Sequence, residues 1–133
     1  MIAGGKDRQL KFLKNEYNIF LCMNNRVIHI NGVNAIKINI QNYQTLYKYV
    51  AKEKIDYIVH TAALTDIELC EADPVKAFNV NSEITKTVAE ICSKLNIFMV
   101  HISTDHLFDG TQYIMKEEAE AKPLNNYAKS KLL

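Results

Sequence analysis

Apolar runs alternate with amphipathic stretches along this sequence of 133 residues. Four runs are apolar enough to predict short strands: residues 18–23, 26–30, 55–60 and 97–102. Two stretches have helical periodicity, residues 41–54 and 74–95, and Pro74 suits the first turn of the longer helix. Buried strands separated by helices of this length are typical of a parallel sheet covered on both faces. The pattern therefore predicts an α/β fold with a doubly wound parallel sheet and flanking helices.

One polar residue interrupts the apolar face of the longer predicted helix. Spacings of three and four place six residues on that face: Ala77, Asn81, Ile84, Val88, Ile91 and Leu95. A buried amide without hydrogen-bond partners would cost about 1–3 kcal/mol. Two interpretations follow. Asn81 forms a structural hydrogen bond to a nearby loop, or it orients a catalytic loop or a water molecule.

Composition and charge narrow the class of protein. Apolar residues make up 48% of the sequence and the formal net charge is +1, which is typical of a single soluble globular domain. Lysines are spread along the chain, which argues against a nucleic-acid-binding face. We see neither a leader of signal-peptide length nor a membrane-spanning apolar run in the sequence. We therefore expect a cytoplasmic protein whose partners include no nucleic acid and no membrane.

The three cysteines, Cys22, Cys70 and Cys92, are far apart in the sequence. Their odd number and their spacing fit neither a zinc site nor a disulfide framework. We expect them to be small apolar core residues in a reducing compartment. We also expect no bound metal.

Candidate chemistry lies where two predicted strands end, because ligands of doubly wound sheets bind beyond the carboxyl ends of the strands. Residues 60–63, His-Thr-Ala-Ala, include small side chains that would let a flat ligand approach the backbone. Residues 103–105, Ser-Thr-Asp, offer two hydroxyls and a carboxylate. The same three residue types also favour turns, so this stretch alone is compatible with a purely structural role.

Tyr127 and Lys131 have the Y-x-x-x-K spacing that several reductases use for proton transfer to a carbonyl. Residues four apart share one helix face, and a neighbouring ammonium favours the phenolate form of a tyrosine. Such a pair also arises by chance. The spacing therefore gains weight only together with the hydroxyl cluster at residues 103–105.

Two longer stretches carry several motifs in a fixed order. Residues 56–110 contain S-T-D-x-x-F-D-G, and residues 122–133 contain P-L-N-x-Y-x-x-x-K. In this combination the sequence resembles the dTDP-4-dehydrorhamnose reductase family, extended short-chain dehydrogenases/reductases that act on nucleotide sugars. The resemblance extends over residues 39–133 and implies a Rossmann-like NAD(P)-binding domain. The combination is far more specific than either motif.

The resemblance implies a catalytic role for three residues. Tyr127 would protonate the C4 keto oxygen of the sugar as hydride arrives from the nicotinamide, and Thr104 would hydrogen-bond the substrate oxygen. Lys131 would favour the phenolate of Tyr127 and hold the nicotinamide ribose. The residues implied to line or support the cofactor site, besides Tyr127 and Lys131, are Ala62, Ala63, Thr65, Asn81 and Ser103, with Asp105 shaping the loop. The functional interpretation of Asn81 is thereby favoured.

The phosphate-binding loop departs from the family pattern G-x-x-G-Q-L-G. The aligned residues 5–11 read GKDRQLK, in which Gly5, Gln9 and Leu10 match, whereas Arg8 and Lys11 replace two glycines. Those glycines allow close approach of the pyrophosphate and close helix packing. Either the guanidinium of Arg8 grips the phosphate directly, or the loop is weakened or lost as a cofactor site.

Further departures concern the first two strands and the adenosine site. The first strand is reduced to residues 1–3, so we expect another element to fill its central position or the chain to lack its true start. The second strand ends without the acidic residue that binds an NAD ribose, and Arg26 with Asn24 suits a 2′-phosphate instead. NADPH is therefore the predicted cofactor, with NADH as the alternative. Asn39, expected near the adenine, and His106 stand where the family has Asp and an aromatic residue.

Family members continue for a further domain's length beyond the catalytic lysine. The sequence therefore predicts one partial domain, residues 1–133, truncated at both ends and without its substrate-binding lobe. The predicted function is reduction of a dTDP-4-keto-6-deoxy sugar for dTDP-rhamnose and polysaccharide precursor synthesis, with little turnover by this chain alone. The alternatives are a non-catalytic nucleotide-binding or regulatory subunit, such as that of methionine adenosyltransferase, and a sugar-nucleotide epimerase or dehydratase. An exposed sheet edge would favour a homo-oligomer or docking of the missing lobe.

Overall fold

The computed structural model describes residues 2–3, 13, 15–23 and 31–132, with residues 2 and 3 described by their backbone alone. The chain divides into two compact units. The sheet unit comprises Met1–Ala62 and Ile84–Ile102, and the helical unit comprises Ala63–Glu83 and Ser103–Leu133.

The described residues of the sheet unit form five parallel strands: β1 (Ile2–Ala3), β2 (Phe20–Met23), β3 (Asn34–Lys37), β4 (Tyr57–His60) and β5 (Phe98–His101). Their order across the sheet is β3-β2-β1-β4-β5. This is the strand order of a dinucleotide-binding Rossmann sheet, which places the ligand crevice beyond the carboxyl ends of the strands. The predicted α/β class with a parallel sheet is confirmed.

The central strand is very short. Ile2 and Ala3 pair with two residues of each neighbouring strand: Leu21 and Cys22 of β2, and Val59 and His60 of β4. These two residues therefore connect the two halves of the sheet. Of the two alternatives for the central position, the one in which another element fills it is wrong, because the register shows that Ile2–Ala3 occupies it.

Three of the four predicted strands are found with shorter bounds, as β2, β4 and β5. The predicted strand at residues 26–30 lies outside the described residues. The sequence does not predict β3, which pairs along its whole length with β2. Its two end residues are exposed and its two middle residues are half-buried, so the apolar signal of a core strand is missing.

Five α-helices are formed by the described residues: α1 (Tyr43–Lys52), α2 (Ile67–Ala72), α3 (Pro74–Phe78), α4 (Ile84–Leu95) and α5 (Asn126–Leu132). The start of α1 is fixed by Asn42, whose side chain accepts a hydrogen bond from the Thr45 backbone N–H at 3.0 Å. In the sheet unit α1 contacts α4. Fully buried side chains of this unit come from both helices and from β4: Leu46, Val50, Ile58 and Ile91.

The predicted helix at residues 74–95 is interrupted. A π-helical segment, Asn79–Glu83, lies between α3 and α4. In the helical unit α2, α3 and α5 contact one another, and their core consists of Cys70, Ala77 and Tyr127 with Leu64 packed against them. Cys22, Cys70 and Cys92 are buried thiols rather than disulfides, as the sequence predicts.

Candidate active site in the helical unit

Helix α5 carries both members of the Y-x-x-x-K pair. Its first turn is capped by Asn125, whose side-chain oxygen accepts from the Ala128 N–H at 2.8 Å and whose carbonyl accepts from the Lys129 N–H at 2.9 Å. Tyr127 and Lys131 therefore lie one turn apart on the same face of a regular helix. The Y-x-x-x-K motif of the sequence is therefore a pair of neighbouring residues on one helix face.

The Tyr127 side chain is almost enclosed, with 9% of its surface exposed. It belongs to the core cluster of Cys70 and Ala77. The imidazole of His106 contacts the tyrosine ring edge to face, with ring centroids 5.8 Å apart and an interplanar angle of 74°. These contacts fix where the ring of Tyr127 lies.

Lys131 is half-buried rather than exposed. Burial lowers the pKa of its ammonium because the charged form loses hydration. A partly desolvated ammonium interacts more strongly with any anion or dipole near it than a fully hydrated one does. Lys131 is thus a partly desolvated cation one helical turn from Tyr127.

Thr104 precedes a short 3₁₀ helix, Asp105–Leu107, and caps it. Its hydroxyl oxygen accepts from the His106 backbone N–H at 3.3 Å, and its hydroxyl donates to the Asp105 carboxylate at 3.4 Å. Thr104 is half-buried, whereas Ser103 and Asp105 are exposed. The 3₁₀ helix contacts α5, so the structure brings the predicted hydroxyl cluster and the helix of Tyr127 together within one unit.

Asn81 is the buried amide that the apolar stripe predicts, with 2% of its surface exposed. Its side-chain oxygen accepts from the Leu64 N–H at 2.7 Å, and its amide donates to the Leu64 carbonyl at 3.0 Å and to the Ser130 hydroxyl at 2.9 Å. The Ser130 hydroxyl in turn donates to the Tyr127 carbonyl at 2.7 Å. Asn81 therefore links the loop after β4 to the backbone of Tyr127.

Two further residues at this link, Ser82 and Ser130, have no recognisable signal in the sequence. Ser130 is fully buried in α5, and its carbonyl accepts from the Ser82 hydroxyl at 2.7 Å. Ser82 follows Asn81 in the π-helical segment, a type of helical irregularity that is frequent at functional sites. The sequence shows that a small residue, Ser130, lies between Tyr127 and Lys131. It does not show that Asn81 and Ser82 are the hydrogen-bond partners of Ser130.

The remaining predicted residues fall in three places. Ala63, half-buried, and Thr65, exposed, lie in the helical unit before α2, whereas Ala62 is half-buried in the sheet unit. Asn39 is exposed in the sheet unit, where its side-chain oxygen accepts from the Gln41 N–H at 3.0 Å. The phosphate-loop and 2′-phosphate residues lie outside the described residues: Gly5, Arg8, Gln9, Leu10 and Arg26. Their roles stay predictions.

A family described as "RmlD substrate binding domain" matches residues 16–133, most of the chain. The chain belongs to this family. The predicted resemblance to dTDP-4-dehydrorhamnose reductases is confirmed by two further comparisons.

This RmlD-family chain is 34% identical over 95 residues to the dTDP-4-dehydrorhamnose reductase of Salmonella typhimurium, covering 71% of this chain and 32% of that protein. It is 30% identical over 98 residues to methionine adenosyltransferase 2 subunit beta of Xenopus laevis, covering 74% of this chain and 26% of that protein. The chain thus spans about a third or less of the curated relatives it matches. A reductase and a subunit of another enzyme are both among its relatives.

The fold of the RmlD-family chain is also found in a solved structure. The crystal structure of a hypothetical dTDP-4-dehydrorhamnose reductase from Sulfolobus tokodaii superimposes with a TM-score of 0.84 at 29% identity. The match covers 98% of this chain and 48% of that chain. The predicted Rossmann-like fold is confirmed by this likeness.

Neither a metal-binding cluster nor a membrane-spanning helix is found in the described part of the RmlD-family chain. Within residues 13, 15–23 and 31–132 we find no cluster of three or more His, Cys, Asp or Glu side chains that could hold a metal ion. None of the helices formed by the described residues has the length and apolar character needed to cross a bilayer.

Proposed function

We propose that this chain forms the cofactor-binding and proton-donating part of a cytoplasmic reductase. The substrate would be a dTDP-4-keto-6-deoxy sugar on the way to dTDP-rhamnose or a related polysaccharide precursor. One observation carries the proposal: the 3₁₀ helix that Thr104 caps packs against α5, which presents Tyr127 and Lys131 on one face. A hydroxyl, a phenol and an ammonium in one unit are the groups that carbonyl reduction needs.

The side chains present fit a nicotinamide nucleoside. Lys131, a half-buried ammonium, suits the ribose hydroxyls, while Ser103 adds an exposed hydroxyl. Bound NADPH would supply the hydride. We propose that Ala62, Ala63 and Thr65 line the cleft. Gly5, Arg8, Gln9 and Leu10 would hold the pyrophosphate, Arg26 the 2′-phosphate, and Asn39 the adenine.

In the proposed mechanism Tyr127 donates its phenolic proton to the C4 oxygen of the sugar. Lys131 stabilises the phenolate that remains, because opposite charges attract strongly where water is partly excluded. Thr104 donates a hydrogen bond to the same oxygen after its hydroxyl turns away from Asp105. That turn costs little, since the present bond is long at 3.4 Å.

Asn81 has a supporting task in this mechanism. Both halves of its amide are engaged by the backbone of Leu64, and its NH₂ group also binds Ser130. We propose that Asn81 serves the cofactor site through these bonds, by holding the backbone of Tyr127 and of the loop after β4 in place.

The test is a titration of the 133-residue chain with NADPH, followed by nucleotide fluorescence, with NADH alongside. We expect saturable binding that prefers NADPH, and no turnover of a dTDP-4-keto sugar by this chain alone. A folded chain that binds neither nucleotide would rule out the cofactor-binding role, and robust turnover would rule out the expected dependence on a further lobe.

A non-catalytic subunit is the second candidate. The likeness to methionine adenosyltransferase 2 subunit beta supports it, as do Arg8 and Lys11 at two glycine positions of the phosphate loop. The substitution Tyr127→Phe, made in a protein that joins this chain to the remainder of a reductase, separates the two. An enzyme loses turnover, whereas a regulatory subunit keeps its partner. An epimerase or dehydratase is less favoured, because S-T-D-x-x-F-D-G resembles the reductases.

A further inference from the structure

Glu71 contacts the start of α5, the helix that carries Tyr127, through both of its carboxylate oxygens. One oxygen accepts from the backbone N–H of Asn126 at 2.6 Å, and the other accepts from the side-chain amide of Asn126 at 2.8 Å. The two residues are 55 positions apart in the sequence. Glu71 lies in the last turn of α2, which contacts α5.

These two hydrogen bonds stabilise the start of α5, where the backbone N–H groups have few acceptors within the helix. The N–H of Asn126 is one of the first-turn amides that have no acceptor within a helix. A carboxylate beside those amides also interacts favourably with the positive end of the helix dipole. Hydrogen bonds to an ionised acceptor are shorter and stronger than neutral ones, as the 2.6 Å distance illustrates.

Helix α5 depends on such anchors because it has only seven residues, and helices of that length are marginal in water. Its second turn is held by Asn81 and Ser82 through Ser130. Its first turn is held by Glu71. Asn126 directly precedes Tyr127, so a shift of the first turn moves the phenol.

We propose that Glu71 is a positioning residue, which holds the first turn of α5 and thereby sets the place of the Tyr127 ring. The proposal rests on the proposed function only in that the latter gives Tyr127 a proton to donate. Glu71 touches neither substrate nor cofactor in this role; it acts through Asn126.

The test compares three variants of the 133-residue chain. Glu71→Ala removes both acceptors, and Glu71→Gln keeps one oxygen for the backbone N–H while its NH₂ group can bind the Asn126 side chain after that amide turns over. Glu68→Ala is the matched control, since Glu68 is an exposed glutamate on the same helix. Two quantities are measured without any nucleotide: amide hydrogen exchange of residues 126–131, and the NMR shifts of the His106 ring protons, which report the position of the neighbouring Tyr127 ring.

We expect Glu71→Ala to raise exchange in α5 by about fivefold, the equivalent of one hydrogen bond of ordinary strength. The His106 ring signals should move in the same variant. Glu71→Gln, which keeps both contacts without the charge, should bring exchange to within about twofold of the unchanged chain and return the His106 signals toward their original positions. Glu68→Ala should alter neither quantity. Unchanged exchange and unchanged His106 signals in Glu71→Ala overturn the proposal, as does a Glu71→Gln variant that behaves like Glu71→Ala.

A parallel NADPH titration separates this inference from the proposed function. If the unchanged chain fails to bind NADPH, the reductase proposal falls, while the exchange data still decide whether Glu71 holds α5. If NADPH binds and exchange is unaffected by Glu71→Ala, the reductase proposal stands and the role of Glu71 is rejected.

Discussion

At the scale of single residues, the site is organised around polar groups that are buried but paired. Asn81 and Ser130 are both almost inaccessible to solvent, and each hydrogen-bonds main-chain or side-chain groups on another element. A buried polar group of this kind contributes little when paired and costs a great deal when its partner is removed. The residues that support Tyr127 should therefore be the sensitive ones.

Removal of the Asn81 side chain should be strongly destabilising. Asn81→Ala leaves the N–H of Leu64 without this acceptor and the Ser130 hydroxyl without this donor, so we expect a loss of about 2–3 kcal/mol in the free energy of unfolding. Asn79→Ala is the control, because Asn79 is an exposed amide in the same π-helical segment; it should change stability by less than about 0.5 kcal/mol. Urea unfolding measures both, and equal losses would contradict the structural role assigned to Asn81.

Removal of the Lys131 ammonium should stabilise the fold, whereas removal of the Asn81 side chain should destabilise it. Burial lowers its pKa from 10.5, so the charged ammonium disfavours folding at neutral pH. Between the lowered pKa and 10.5 the unfolded chain binds more protons than the folded chain, and stability therefore rises with pH across that window. Lys131→Met should be more stable than the unchanged chain at pH 7, with the difference shrinking as pH approaches 10.5.

Lys129→Met is the matched control for this measurement, because Lys129 is exposed on the same helix. It should show no comparable gain at pH 7. If Lys131→Met proves less stable than the unchanged chain at every pH, the ammonium of Lys131 stabilises the fold and is not held there at a cost.

At the scale of elements, the π-helical segment decides how two parts of the helical unit meet. Consecutive residues, Asn81 and Ser82, both reach Ser130, one at its hydroxyl and the other at its carbonyl. The sequence predicts one uninterrupted helix here, because the apolar residues before and after the segment keep a spacing of three and four. Periodicity records which residues face the core, but it does not record a local change from α- to π-type hydrogen bonding.

The link between the π-helical segment and α5 can be weakened by removing a single side-chain oxygen, that of Ser82. Ser82→Ala removes the hydroxyl that donates to the Ser130 carbonyl, and we expect it to cost about 1 kcal/mol and to speed amide exchange in α5. Ser93→Ala, at an exposed position of α4, should leave both unchanged. The expectation fails if the two variants have the same unfolding midpoint and the same exchange rates.

The sequence singles out candidate site residues where residue type and spacing carry information, and their catalytic roles stay predictions. Tyr127, Lys131 and Thr104 are recognisable because each stands in a motif, and Asn81 because it breaks an apolar stripe. Glu71 and Ser130 are not recognisable, because their importance lies in partners 55 and 49 positions away. Nothing in the sequence around an exposed glutamate or a serine reveals such a distant partner, so only the folded structure shows the contact.

At the scale of the whole molecule, the two units place their thiols differently. Cys22 and Cys92 are buried in the sheet unit, and Cys70 is buried in the helical unit. Burial raises the pKa of all three thiols, that of Cys22 to about 12. The protonated thiol is a poor nucleophile, so none should react with a thiol reagent at pH 8 while the chain is folded.

Thiol labelling in increasing urea then reports the two units separately. We expect Cys70 to react at lower urea concentrations than Cys22 and Cys92, because α2 and α5 have only six and seven residues and few internal bonds. Mass spectrometry of peptides identifies the labelled residue. Simultaneous labelling of all three would show instead that the units unfold as one cooperative body.

The strand order was predictable in outline and not in detail. Alternating apolar runs and helices indicate a parallel sheet, and β2, β4 and β5 follow from them. β3 escapes because its side chains are too exposed to give an apolar run. The family resemblance gives the first strand a central place, but the pairing of β1 with two distant strands does not follow from its two residues alone.

That two-residue strand also has a consequence for the order of events during synthesis. Ile2 and Ala3 leave the ribosome before β4 does, so their pairing with β4 must wait for Val59 and His60. Until then β1 has at most one neighbour, and its other side is an open edge that can recruit other extended chains. Pairings between residues so far apart in sequence form slowly. We therefore expect nascent chains that end before residue 60 to be the aggregation-prone species, and the arrival of β4 to be the event that closes the sheet.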